Sequence, residues 1–180
     1  RGCSVSRSVD LIMGRHKVNL MKGIVAFDSV YGNTLKVAEA IAEELRAEGQ
    51  EIEVMDLGKR IPWGAEADFA FIGSPTRMAK MTGRTRRFLK RLKKEHWSAH
   101  TIVAFDTVLK LPEDPEKRSK SAKWTEDGAG PKIKAFAEEM GMKVHPEVLR
   151  AEVVGLKGPL APDALDKSRE FARRVIKDLL

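Results

Sequence analysis

A chain of 180 residues is long enough for one well-packed domain and short for two, since most domains hold about 100 to 150 residues. Its content of 42% hydrophobic and 33% charged residues is typical of globular proteins, and no apolar run approaches the ~20 residues that span a bilayer. Cys3 is the single cysteine, which excludes an internal disulfide and a thiolate metal site, so we expect a cytoplasmic protein without a membrane role.

The formal net charge is +7, and part of it lies in residues 1–20, where four basic side chains face one acid. We expect this N-terminal tail to be disordered or to reflect a misassigned start site. A single domain is then expected to occupy residues 21–180.

From residue 21 onward, short apolar runs alternate with segments of helical periodicity, which predicts βαβ units around a parallel sheet. The clearest helix follows the first apolar run and can end at Gly49. Later helices are predicted near residues 84–95, 131–140 and 165–179. The five predicted strands are 23–27, 51–57, 68–73, 101–105 and 147–154.

The segment 107–127 does not fit this alternation. It contains two prolines and balanced charges, and it shows no apolar periodicity. A long structureless segment in a compact domain is usually functional or disordered. We therefore predict a long loop inserted after the fourth strand.

Polar side chains follow three of the predicted strands, at residues 28–34, 74–76 and 106–107. Ligands of open parallel sheets bind beyond the carboxyl ends of the strands, so these ends are the candidate site. The first segment gathers hydroxyls, an amide and a glycine before a helix, whose unpaired N–H groups and dipole favour an anion. A helix cap alone would need one such residue, so a phosphate site is the preferred interpretation. A receiver domain is excluded because Ser74 stands where its acceptor aspartate would be.

The segment Ser29-Val30-Tyr31-Gly32-Asn33-Thr34 resembles the phosphate loop of flavodoxin-like FMN-binding domains at every defined position. Gly73–Thr76 resembles their second flavin loop, and the sequence is most similar to the flavodoxin domains of flavodiiron proteins. The di-iron half of those proteins has no counterpart here, because the histidines are scattered and no metal site is expected. The resemblance implies an α/β three-layer sandwich whose five-stranded parallel sheet has the order 2-1-3-4-5.

The resemblance also implies noncovalent binding of FMN and a set of binding residues. The second loop of this chain lacks the aromatic side chain that usually stacks on the flavin, and the insertion replaces the usual third loop. Met78 and Trp124 could cover the two faces of the flavin ring in their place, or they could serve packing within the protein. The implied residues are Ser29, Val30, Tyr31, Gly32, Asn33 and Thr34 for the phosphate, Ser74, Pro75, Thr76, Arg77 and Met78 beside the flavin, and Asp106, Thr107 and Trp124 closing the site.

The segment Arg84–Lys94 holds seven basic residues in eleven. It is either the solvated face of a helix or a surface for an acidic redox partner, and the lack of interleaved aromatics disfavours nucleic acid. No side chains suggest catalysis by the protein itself, so we expect an electron carrier. The alternatives are an FMN-dependent oxidoreductase acting on a quinone or porphyrinogen, and a flavin-free binding module of the same fold.

Overall fold

The computed structural model of the protein describes residues 20–61, 66–95 and 100–180. The predicted tail, apart from Leu20, lies outside these residues. Strands and helices alternate along the described chain. They are β1 (Lys22–Phe27), α1 (Asn33–Ala47), β2 (Glu51–Asp56), β3 (Phe69–Pro75), α2 (Gly83–Lys94), β4 (Thr101–Leu109), α3 (Pro115–Thr125), α4 (Ala129–Glu139), β5 (Lys143–Val153) and α5 (Ala164–Leu179).

The five strands form one sheet in the order β2-β1-β3-β4-β5, and every neighbouring pair is parallel. The order reverses at β1, from which the chain moves first to β2 and then across to β3. The predicted fold class and strand order are therefore confirmed. At the carboxyl edge, Phe27 of β1 is in register with Gly73 of β3, which is in register with Phe105 of β4.

Each face of the sheet carries its own hydrophobic core. Val25, Phe71 and Phe105 pack with α1 and α5 on one face, while Ile24 and Ile72 pack with α2 and α4 on the other. Successive residues of a strand point to opposite faces, so the continuous apolar runs of the central strands serve both layers. The result is the predicted three-layer sandwich.

The prediction of a structureless loop at 107–127 is wrong. Strand β4 continues through Thr107 to Leu109, where it still pairs with β5, and α3 occupies Pro115–Thr125. Asp114 caps this helix by accepting a hydrogen bond from the Lys117 N–H at 2.9 Å, and Pro115 stands in its first turn, where proline is favoured. The insertion is thus an ordered helix attached to an extended strand.

Strand β5 is also longer than predicted, since it begins at Lys143 and includes Pro146. Its register with β4 shifts between Ile102 and Ala104, next to this proline. Proline cannot donate to a ladder but is tolerated at an edge or a bulge, and β5 is an edge strand. In the part of the chain that the structure describes, no helix combines the length and the apolar character that a membrane crossing requires.

Candidate functional site

The three polar segments predicted from the sequence meet at the carboxyl edge of the sheet. The first follows β1, while the second and third lie at the carboxyl-terminal parts of β3 and β4, and these three strands are adjacent. Ser74 is in register with Asp106, and Pro75 with Thr107, so the second and third segments run side by side. The three segments are therefore neighbours at this edge, with the first exposed at Val30 and Tyr31 and the third buried at Asp106 and Thr107.

The first loop opens the N-terminus of α1 to solvent. Ser29 Oγ accepts hydrogen bonds from the Gly32 N–H at 3.1 Å and the Leu35 N–H at 3.4 Å, which fixes the turn. Gly32 has a φ of 84°, in the left-handed region that favours glycine, and no atom lies within 4 Å of where its Cβ would be. Val30 and Tyr31 are exposed beside it. This open helix start, without an acidic residue in its first turn, suits an anion.

Two predicted phosphate residues, Asn33 and Thr34, turn their side chains into the protein. Thr34 Oγ1 lies 2.9 Å from Thr107 Oγ1, and Asn33 Nδ2 donates to the Lys157 carbonyl at 3.1 Å. These contacts hold the first loop to β4 and to the loop after β5. Because a helix leaves the N–H groups of its first turn without intrahelical acceptors, the backbone of Asn33 and Thr34 supplies the donors nearest to an incoming anion.

The second loop is a tight hairpin with Met78 at its tip. Arg77 and Lys80 exchange two backbone hydrogen bonds, each of 3.0 Å. Met78 and Ala79 between them have φ values of 49° and 57°, a left-handed conformation that costs a non-glycine residue about 1–2 kcal/mol. The Met78 side chain is 79% exposed, so it does not serve packing within the protein. The hairpin holds an apolar side chain in solvent at the edge where a ligand would lie.

The hairpin is anchored at its base by Ser74, whose buried hydroxyl accepts a hydrogen bond from the Thr82 N–H at 3.0 Å. On its outer side, the Lys132 ammonium donates to the Ala79 carbonyl. The left-handed turn is therefore supported from both β3 and α4. Such support is what allows strained backbone to persist in a folded protein.

Asp106, in the third segment, is fully buried, and its carboxylate accepts hydrogen bonds from three other residues. Thr76 Oγ1 donates to its Oδ2 at 2.8 Å, and so does the Gly130 N–H at 2.9 Å. Arg150 binds both carboxylate oxygens, through Nε and Nη2, at 3.2 Å each. The carboxylate thus joins the second loop, the start of α4 and β5, which makes Asp106 a positioning residue for the edge.

Arg150 is the site residue that sequence reasoning missed. It lies in β5, in the segment 147–154, whose apolar alternation predicted only a strand. The available signal was that Arg150 is the one Lys or Arg residue in that segment. Trp124, in contrast, was predicted, and α3 places it half exposed, with Lys123 Nζ 5.1 Å from its ring centroid. Among the described residues, Trp124 forms no ring pair with Tyr31 of the first loop.

Two basic side chains, Arg84 and Lys157, lie beside the first loop or the residue directly before it. Asp28, directly before it, is buried, and Arg84 Nη1 of α2 lies 3.3 Å from Asp28 Oδ1. On the other side of the loop, Lys157 Nζ lies 5.9 Å from the centroid of the Tyr31 ring. One carboxylate near the loop is therefore paired with a cation, and a second cation stands beside the exposed tyrosine. Both features lower the electrostatic cost of a bound phosphate.

Comparison with family models decides the family. A model described as a flavodoxin domain matches residues 24–150, which is more than half of the chain. The chain belongs to the flavodoxin domain family. The family predicted from the two loop motifs at residues 29–34 and 73–76 is thus confirmed. Comparison with curated proteins found no match.

Solved structures share the fold of this flavodoxin domain. A flavodoxin from the domain Archaea is 22% identical over 88% of this chain and 98% of that chain, with a TM-score of 0.65. Oxidised Flavodoxin 1 from Bacillus cereus is 19% identical over 87% and 97%, with a TM-score of 0.63. The Flv1 flavodiiron core from Synechocystis sp. is 14% identical over 88% of this chain and 36% of that chain, with a TM-score of 0.61.

Proposed function

We propose that this flavodoxin domain binds FMN noncovalently and acts as an electron carrier. FMN, when bound, supplies the chemistry of electron acceptance and donation, while the protein binds the cofactor and sets its surroundings. The observation that carries the proposal is the open N-terminus of α1 at Gly32, in a loop that matches the family's phosphate motif and lies where the strand order reverses.

The phosphate of FMN fits the first loop. Its negative charge meets the positive end of the α1 dipole, worth about 0.3–1 kcal/mol per charge at an exposed site. Hydrogen bonds from the backbone of residues 33 and 34 and from the Ser29 hydroxyl would each add about 1.5–3 kcal/mol, because the acceptor is charged. The vacant space beside Gly32 lets the anion approach the backbone closely.

The flavin ring would lie between the second and third segments. Met78 offers an exposed apolar side chain on the hairpin, and Trp124 offers a half-exposed ring on α3. Pro75, Thr76 and Arg77 would border the ring edge, and the buried Asp106 and Thr107 would support this part of the site from within the protein. The chain has no aromatic side chain in the second loop, so most of the affinity should come from the phosphate.

The test is a comparison of FMN with riboflavin, which lacks the phosphate. The purified protein should show the visible spectrum of a flavin, and the apoprotein should bind FMN about tenfold or more tightly than riboflavin, as judged by quenching of flavin fluorescence. Equal affinities would exclude the phosphate site. A colourless protein that binds neither compound would instead identify a flavin-free binding module.

A second candidate is an FMN-dependent oxidoreductase acting on a quinone or a porphyrinogen. The inserted helix favours it, because α3 follows the β4 end of the site and presents a large aromatic side chain that could form one wall of a substrate pocket. Steady-state turnover of a soluble quinone by the FMN-loaded protein would support this candidate. A carrier would exchange electrons with a partner protein but show no saturable turnover of the quinone.

A further inference from the structure

A basic groove lies between the chain segment after β2 and helix α2, and none of the residues 29–34 lines it. Its volume is about 620 Å³, within the range of roughly 300–1,000 Å³ that holds small organic ligands. We name it the α2 groove. Its lining residues are Leu57, Lys59, Arg60, Ile61, Arg84, Arg87, Phe88 and Arg91.

The floor of the α2 groove is apolar and its walls are cationic. Leu57 and Phe88 are nearly buried, and Ile61 packs against the same core. Five of the eight lining side chains are lysine or arginine, and none of the described lining residues is acidic. Two neighbouring carboxylates, Asp28 and Asp56, each pair with one lining cation. Arg60 and Arg87, one from each wall, form no ion pair among the described residues, so this part of the groove keeps an excess of positive charge.

Helical geometry explains why the arginines converge. Arg84, Arg87 and Arg91 are spaced by three and four residues, so they form one stripe along α2 that faces the segment after β2. Arg86 points elsewhere, because its guanidinium lies 4.9 Å from the centroid of the Phe136 ring of α4. The basic run of α2 is thus not a uniform solvated face.

We propose that the α2 groove binds a small polyanion, a molecule that carries two or more carboxylate or phosphate groups on an apolar body. Cations from two separate elements can contact anionic groups at both edges of such a ligand, while the apolar floor contacts its body. The concave shape favours a small molecule over the convex surface of an acidic protein. The proposal does not depend on flavin binding.

Arg84 connects the groove with the flavin loop. Its guanidinium lines the groove and also lies 3.3 Å from the buried carboxylate of Asp28, directly before the phosphate loop. A polyanion in the groove would compete with Asp28 for this cation. Binding at the two sites should therefore be coupled, and the coupling must be reciprocal. An unpaired Asp28 disfavours a nearby phosphate, so the expected coupling is negative.

The test measures binding of a fluorescent naphthalene trisulfonate, the probe, to the full chain, first without FMN and then with it. The probe should bind at one site and be displaced by pyrophosphate or by benzene tricarboxylate, but not by neutral naphthalene. Arg87→Glu, on the helix wall, and Arg60→Glu, on the opposite wall, should each weaken the probe about tenfold or more, because a cation becomes a repelling anion.

Lys90→Glu is the matched control, since Lys90 is an exposed residue of the same helix that does not line the groove. It should change probe affinity less than twofold. Equal losses of probe affinity in all three variants would indicate general attraction to a basic protein and would contradict a specific site in the α2 groove. Failure of the probe to bind would contradict it as well.

Circular dichroism and thermal unfolding show whether the variants fold. If Arg87→Glu does not fold, the probe affinity of Arg60→Glu alone tests the α2 groove. A polyglutamate peptide serves as the competing ligand. The peptide could bind while the probe does not, with an affinity that Arg87→Glu and Arg60→Glu lower and Lys90→Glu does not. The occupant would then be an acidic protein segment, and the small-molecule proposal would be wrong.

Discussion

Thr34 Oγ1 lies 2.9 Å from Thr107 Oγ1, and both side chains are buried. The pair joins the first turn of α1 to the extended end of β4, so the phosphate loop and the third segment are fixed relative to each other by one hydroxyl–hydroxyl contact. Thr34 is also a predicted phosphate residue. Its hydroxyl is therefore expected to affect both folding and cofactor affinity.

Replacing Thr34 by Val should lower FMN affinity severalfold, because the hydroxyl contact that positions the phosphate loop against β4 is lost. It should also lower the free energy of unfolding by about 1–3 kcal/mol, since the Thr107 hydroxyl is left buried without its partner. Thr107→Val is the matched control, which breaks the same contact from the β4 side. FMN titration and urea unfolding measure the two effects.

If Thr34 contacts the phosphate directly, Thr34→Val must weaken FMN more than Thr107→Val does. Equal losses of affinity would show that the hydroxyl pair acts only by positioning the loop. The double variant should recover part of the lost stability, because no hydroxyl then remains unsatisfied.

Removing one partner of the Asp106–Arg150 pair should lower stability strongly. Arg150→Met would leave a buried carboxylate without its cation, which typically costs about 3–5 kcal/mol. Arg174→Met is the control, because Arg174 Nη2 lies 2.7 Å from Glu147 Oε2 but both side chains are half exposed. A pair of that kind contributes about 0–1 kcal/mol. Chemical unfolding that showed similar losses for both variants would refute the role assigned to Asp106.

The fold was predictable because hydrophobic periodicity reports burial directly. Residues 23–27 and 69–73 are apolar and buried throughout, as a sheet covered on both faces requires. The apolar faces of the helices are explained in the same way. Helix α3 could not be predicted from hydrophobic periodicity, because Thr125 is the one buried residue in all of its described length and the helix has no apolar face. Its signals were local instead, in the cap at Asp114 and the Glu116–Lys120 pair.

The site was predictable only where it is continuous in sequence. Residues 29–34 form one loop, and their motif carries its own chemistry. The partnership of Asp106 with Arg150 joins positions 44 apart, and nothing in the local sequence of either residue indicates the other. The left-handed turn at Met78 and Ala79 also runs against residue preference, because such turns usually contain glycine or asparagine.

Helix α3 should be the first part of the described domain to open. Few of its side chains are buried, and locally weak packing gives low protection against opening. Trypsin should cleave within 117–123 sooner than within the more basic α2, which buries Phe88, Leu89 and Leu92. Mass spectrometry of timed digests identifies the first cuts. Cleavage of α2 at the same rate would contradict the difference in packing.

If Trp124 covers the flavin, FMN should slow the cleavage of α3. Trp124→Ala should abolish this protection and weaken FMN, while leaving cleavage of the apoprotein unchanged, because the side chain is half exposed without the ligand. Identical digestion of the apo and FMN-loaded forms would remove α3 from the site. Trp124 would then be a surface residue of the insertion.

The proposed redox partner is an acidic protein that docks on the side of α2 that carries the exposed residues Lys90 and Lys94, which we name the outer stripe of α2. Opposite charges steer encounter and raise the association rate at low salt, and the effect fades as the Debye length falls to about 8 Å near physiological ionic strength. Reduction of the FMN-loaded protein by an acidic ferredoxin should therefore be faster at low than at high salt, in stopped-flow measurements of flavin absorbance.

Lys90→Glu combined with Lys94→Glu should slow this reduction and flatten its dependence on salt. These two residues are chosen because Arg86 packs on Phe136 and Arg87 lines the α2 groove, so reversing either would change more than surface charge. Lys177→Glu is the control, an exposed charge reversal on α5 across the sheet. A double variant whose rate and salt slope match those of Lys177→Glu would show that the outer stripe of α2 is a solvated helix face and that the partner docks elsewhere.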